Sequence, residues 1–220
     1  MDLFFTKVPS FLQSLIPGII WKGDGSLPGK NIFLTFDDGP GIKSTPCIME
    51  ILSDFNAKAT FFLTGSRMKK NNELVTELKG RGHYIANHGY EHKSGFRISL
   101  EEFNENMAIG QELTGSGFFR PPFGHMTFRQ YNAIKKKTRI VYWSVMPGDF
   151  VRRIDSCLVS RRIKSCSKNG DVIVLHDMDR MISKIETYLP EVLEYFIKEG
   201  YSFKTIDEMA DLKTDQTVII

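Results

Sequence analysis

Cysteine is scarce in this chain. Its 220 residues include three, Cys47, Cys157 and Cys166, and no two form a C-x-x-C pair. An odd count at such spacings argues against a disulfide framework. The three read as reduced, buried small hydrophobes. An excess of one charge is also lacking. The net charge of +3 is too small to argue for a nucleic-acid partner. The basic clusters Lys135-Lys136-Lys137, Arg152-Arg153 and Arg161-Arg162 read as solvated helix faces. No apolar run approaches the length of a membrane span. The first residues lack a basic start, carry Asp2 and are broken by Pro9 and Pro17, so they make a poor secretory signal and the expected location is cytoplasmic. Internal repeats and low-complexity linkers are absent too. Length and an apolar content of 41% fit one domain with a real core. The expected organisation is an extension over 1–30, a domain over 31–206 and a tail over 207–220. In the extension, Leu15, Ile16, Ile19, Ile20 and Trp21 are expected to be buried.

What is present is a regular alternation of apolar strands and amphipathic helices. Strands are expected at Asn31–Phe36, Ala59–Leu63, His83–Ala86, Phe118–Arg120, Arg139–Val145, Asp171–Leu175 and Gly200–Phe203. Helices are expected at Thr45–Phe55, Asn72–Lys79, Leu100–Leu113, Thr127–Lys137, Ser156–Lys168 and around Pro190–Glu199. Ser99, with Glu102 three residues on, reads as the N-cap of the Leu100–Leu113 helix. Such alternation predicts an α/β fold with a parallel sheet.

Several polar groups follow these strands directly, which in a parallel barrel gathers them on one face. Thr35-Phe36-Asp37-Asp38-Gly39-Pro40 places two carboxylates side by side. Like charges repel, so one calls for a counter-charge or a metal. Alone, this run also reads as a simple turn. His88 and His92 stand at i, i+4, a spacing from which two imidazoles reach one ion. With Asp38 they make an N,N,O set that leaves positions open, as catalytic rather than structural metal sites do. His83 reads as structural. Arg120-Pro121-Pro122-Phe123-Gly124 reads as a rigid corner, one that could hold Arg120 against a carboxylate and aim the Phe123 N–H at a substrate oxygen. His176, ending a buried strand, is a natural proton donor. Asp149 is placed to pair with it and raise its pKa.

These five motifs, in this order, resemble the polysaccharide deacetylase family, which includes chitin, peptidoglycan and nodulation-factor N-deacetylases. The resemblance spans about Asn31 to Phe203 and implies a distorted, incomplete parallel (β/α) barrel of about seven strands. It implies that Asp37 is the general base and that Asp38, His88 and His92 bind the metal. It implies further that Arg120 orients the base, the Phe123 N–H supports an oxyanion, and Asp149 tunes His176, the general acid. The implied cofactor is a divalent ion, zinc first, with cobalt, nickel or manganese as alternatives. The implied partner is an acetylated glycan. Four positions depart from the family pattern: Gly89 stands where Ser or Thr is usual, Met146 and Phe150 replace an Asp and a Trp, and Val174 replaces Leu. Tyr90, Phe123, Phe150 and Trp143 are candidate groove aromatics, and Val174 a candidate for the acetyl pocket. The expected activity is hydrolysis of N-acetyl groups on amino sugars. The alternatives are an O-acetyl esterase or small-molecule amidase using the same site, or an inactive glycan-binding domain.

Overall fold

The computed structural model describes residues 6–23, 25 and 27–209. In chain order the elements are α1 (Ser10–Ser14), β1 (Ile19–Ile20), β2 (Lys30–Asp37), α2 (Ser44–Asp54), β3 (Thr60–Leu63), α3 (Gly65–Lys70), α4 (Asn72–Gly80), β4 (Tyr84–Asn87), α5 (Leu100–Thr114), β5 (Phe118–Phe119), α6 (Phe128–Ile134), β6 (Arg139–Val141), α7 (Ser156–Cys166), β7 (Val172–His176), α8 (Ile182–Lys198) and β8 (Tyr201–Phe203). The strands run in the order β1-β6-β5-β4-β3-β2-β7, with β8 added beside β2, and every pair is parallel. The sheet curls into a half-barrel, a distorted β/α barrel.

Strand β2 organises the molecule through its period of two. Ile32, Leu34 and Phe36 point into the main core, against Ile48, Leu52, Leu189 and Val192 of the covering helices. Phe33 faces the other way, into the barrel interior with Phe62, Phe118 and Val141. Thr35 and Asp37 alternate onto that same interior face. Both faces are therefore buried, as expected of a parallel strand.

The structure corrects several sequence expectations. The strand expected over Arg139–Val145 stops at Val141. Beyond it Tyr142 N–H makes a last bond to β1, at Ile20 (2.8 Å), and the chain then changes partner: Ser144 N–H donates to Val172 of β7 at 3.0 Å. The carbonyls of Val141 and Tyr142 accept instead from the Arg120 guanidinium. Helix α6 ends at Ile134, so Lys135-Lys136-Lys137 lies in the following turn and not on a helix face. Cys157 is exposed on α7, and Cys47 and Cys166 are only half-buried.

In the extension, Ile19 and Ile20 are buried because they pair with β6, and Trp21 is half-buried. Leu15 and Ile16 are exposed, at 67% and 39%. Helix α1 buries none of its residues, and the chain forms its first strand, β1, only after Pro17-Gly18. The remainder of the expected 1–30 and 207–220 segments, residues 1–5, 24, 26 and 210–220, lies outside the described residues.

Candidate active site and metal centre

The candidate residues gather at the C-terminal ends of the strands. Asp37 ends β2, and Asp38 follows with φ at 76°. A non-glycine residue at positive φ is uncommon and clusters at functional sites. It turns the Asp38 carboxylate away from its neighbour and towards the loop after β4. There His92 Nε2 lies 2.9 Å from Asp38 Oδ1, and His88 Nε2 lies 3.5 Å from it. One ligand atom from each of the three residues falls within 4.8 Å of the others. Burial pushes the Asp38 carboxyl pKa up, but the two adjacent imidazoles hold it well below the usual range.

A single residue, Arg120, supports both halves of this site. Its carbonyl lies 2.8 Å from His88 Nδ1. A carbonyl only accepts, so Nδ1 carries the hydrogen and Nε2 keeps its lone pair for a metal. Its side chain is fully buried and donates to Asp37 Oδ1 at 2.6 Å. The remaining donors reach Thr35 Oγ1 at 2.8 Å, Val141 O at 3.2 Å and Tyr142 O at 2.8 Å. A buried charge is tolerated when it is paired and hydrogen-bonded in this way. The guanidinium also stacks 4.0 Å from the Phe62 ring centroid.

On the other side of β2, His176 Nδ1 lies 2.9 Å from Asp149 Oδ1, and the His176 N–H donates to Asp149 Oδ2 at 2.8 Å. Burial alone would lower the His176 pKa; Asp149, aided by Asp38 and Asp37, raises it to about 9. With Nδ1 engaged, Nε2 is the nitrogen that can deliver a proton. His83 is structural, as expected. Its Nδ1 accepts from the Ala59 N–H at 3.3 Å, and burial lowers its pKa to about 4.

The groove candidates separate. Phe123 lines a cleft of about 600 Å³ with Asp38 and His92. Its ring sits 4.3 Å from His92, and its φ of 61° turns its N–H out of the local ladder. Among the described residues no acceptor takes that N–H. Phe150 packs on His176 at 4.6 Å. Tyr90 instead lies under Lys69, 5.1 Å from its Nζ. Val174 is buried within β7 and does not line the cleft.

Gly89 also finds an explanation. Its φ is 81°, and a side chain there would press on Asn106. Asn106 of α5 holds the histidine loop in place of a Ser or Thr. It accepts from the Glu91 N–H at 2.7 Å, donates to Glu91 O at 3.0 Å, and takes the Tyr90 N–H on its own carbonyl at 2.9 Å. Sequence reasoning missed Asn106, because the contact joins residues fifteen apart across a helix. It also gave no role to Asp177. This buried carboxylate accepts from Ser44 Oγ and Thr45 Oγ1, each at 2.5 Å, and its backbone N–H donates to Asp37 O. Its place directly after His176 at a strand end was the available signal.

Fold and site together define a β/α half-barrel protein with an Asp-His-His cluster at its strand ends. The sequence profile described as polysaccharide deacetylase matches residues 24–140. A peptidoglycan-N-acetylglucosamine deacetylase of Bacillus cereus is 30% identical over 192 residues, covering 84% of this chain and 90% of that protein. The peptidoglycan-N-acetylglucosamine deacetylase PgdA of Listeria monocytogenes is 30% identical over 186 residues, covering 82% of this chain but only 39% of its own length. A crystal structure of a peptidoglycan N-acetylglucosamine deacetylase, in complex with 4-naphthalen-1-yl-N-oxidanyl-benzamide, superposes with a TM-score of 0.80. Its identity is 27%, covering 91% of this chain and 95% of that one. The chain belongs to the polysaccharide deacetylase family. Asp149 and His176 lie beyond the span of the profile match, and their place in the site rests on their geometry.

Proposed function

We propose that this protein is a metal-dependent hydrolase that removes N-acetyl groups from amino sugars in a glycan. The observation that carries the reading is one cluster, Asp38, His88 and His92, set between an arginine-held carboxylate and a carboxylate-held imidazole. Two imidazoles and a carboxylate suit a divalent ion, zinc first. When bound, such an ion polarises a carbonyl and makes water more acidic.

The chain's own residues account for the proton traffic. Asp37, fixed by Arg120, takes a proton from the attacking water. The Phe123 N–H, at the cleft wall, donates to the carbonyl oxygen as it becomes negative. His176, protonated on the strength of Asp149, gives its Nε2 proton to the departing nitrogen, so that an amine and acetate leave. Base and acid are thus held by different partners, Asp37 by the Arg120 guanidinium and His176 by the Asp149 carboxylate.

The test is acetate release from N-acetylated and O-acetylated amino-sugar oligomers, with and without chelator. Chelator-sensitive release from the N-acetyl oligomers, restored by added metal, is expected. Release from O-acetyl oligomers alone would favour the esterase. In that case His176→Ala would cost less, because an alkoxide leaves with less help than an amine.

A further inference from the structure

Two carboxylates and two guanidiniums line the cleft above the metal cluster: Asp38, Asp179, Arg67 and Arg180. The carboxylates are already committed. Asp38 is held by His88 and His92. Asp179 accepts from the Lys43 and Ser44 N–H groups, both at 2.9 Å, and from Ser44 Oγ at 3.1 Å.

The arginines are not committed. Both are exposed, and among the described residues neither guanidinium has a hydrogen bond or ion pair. Elsewhere Arg81 is paired with Glu50 and Glu77, and Arg120 with Asp37. Arg67 stands on α3, after β3, and Arg180 follows β7. In the sheet β3 and β7 flank β2 on either side. The two free cations therefore border the strand that presents Asp37 and Asp38. A guanidinium is a planar fork matched to carboxylate and phosphate oxygens.

We propose that the glycan entering this cleft carries an anionic group, a carboxylate or a phosphate, and that Arg67 and Arg180 receive it, selecting acidic over neutral glycans. The inference rests on the glycan reading of the site for the identity of the polymer. The preference for an anion can be measured without turnover.

The experiment compares three N-acetylated amino-sugar oligomers of equal length: one neutral, one bearing carboxylates and one bearing phosphates. Binding is read by calorimetry on metal-loaded Asp37→Asn protein, so that the oligomers are not consumed. At least one acidic oligomer is expected to bind about tenfold more tightly than the neutral one, with the gap narrowing as salt is added. Adding Arg67→Gln and Arg180→Gln should shrink the gap to about twofold or less, while the double Lys variant keeps part of it. The carboxylate and phosphate arms identify which anion is read. Binding without an acidic preference, or a preference that survives the double Gln substitution, would overturn the proposal. Failure of all three oligomers to bind would overturn it as well. Melting curves accompany each variant; should the double variant misfold, the two single Gln variants carry the same comparison. Acetate release by wild-type protein is followed in parallel. Its absence from every oligomer would remove the deacetylase reading and leave the anion preference to be judged by binding alone.

Discussion

Arg120 joins the base and a metal ligand through one residue, since its side chain grips Asp37 and its carbonyl fixes the His88 tautomer. Removing the guanidinium leaves a nearly buried carboxylate without its counter-charge. Arg120→Ala should therefore destabilise the fold by about 3–5 kcal/mol, measured by urea unfolding. Asp37→Asn tests the base itself. It should lower kcat by about 10²–10⁴-fold with metal content unchanged, and wild-type turnover would remove Asp37 from the mechanism. Asp149 and His176 give a pH signature. The raised His176 pKa, about 9, keeps the proton-donating form through neutrality and loses it as pH rises through that value. A cation held at Asp38 would cancel that carboxylate's share, leaving Asp149 as the main support. Asp149→Asn should thus move the alkaline limb of the pH–rate profile to lower pH. Linkage gives the same sign for stability. A folded pKa above the unfolded value of about 6.5 adds stability that is complete below it and lost as pH rises through about 9. The melting-temperature gap between wild type and Asp149→Asn should therefore close across that window.

At the scale of elements, the loop carrying His88 and His92 is held against α5, with Asn87 Oδ1 taking the Gly89 N–H at 2.8 Å. Asn106 grips it, and Gly110 lets the helix approach: a Cβ there would lie 2.9 Å from the Gly89 carbonyl carbon. Asn106→Ala should weaken metal binding by about 10–100-fold, read by titration with a metal indicator, while the histidines themselves remain. Unchanged affinity would make Asn106 a bystander. Most elements were legible from the sequence because their periodicity is local. The cap of α5 is an example: Ser99 accepts from the Glu102 N–H, as the sequence suggested. The end of β6 was not legible, because Arg120 claims its carbonyls from another strand, and no pattern within Arg139–Val145 records that claim.

At the scale of the whole molecule, metal binding and the N-terminal segment offer separate tests. His88→Ala with His92→Ala should abolish binding of one divalent ion per chain. Retention of one equivalent, measured by elemental analysis, would place the site elsewhere. Residues 6–23 lie along the domain: Val8 N–H donates to Ser144 O at 2.9 Å, Lys7 pairs with Asp171, and β1 extends the sheet. Removing residues 1–23 should lower the melting temperature by stripping β6 of a neighbour. An unchanged value would show that the edge is self-sufficient.

The sequence alone determined the alternation of strands and helices, the parallel sheet, and the identity of Asp37, Asp38, His88, His92, Arg120, Asp149 and His176 as candidates. These follow from local periodicity and from polar residues placed after apolar runs, although β6 itself ends eight residues before Asp149. Tertiary structure decided which of them meet. It set Asp38 rather than Asp37 against the imidazoles through a positive φ, and joined base and ligand through Arg120. It also left Val174 in the sheet and Leu15 in solvent. The reason is that contacts between residues as far as 83 positions apart, such as Arg120 with Asp37, depend on strand order and curl. Those properties belong to the assembled sheet and leave no periodic trace in any single segment.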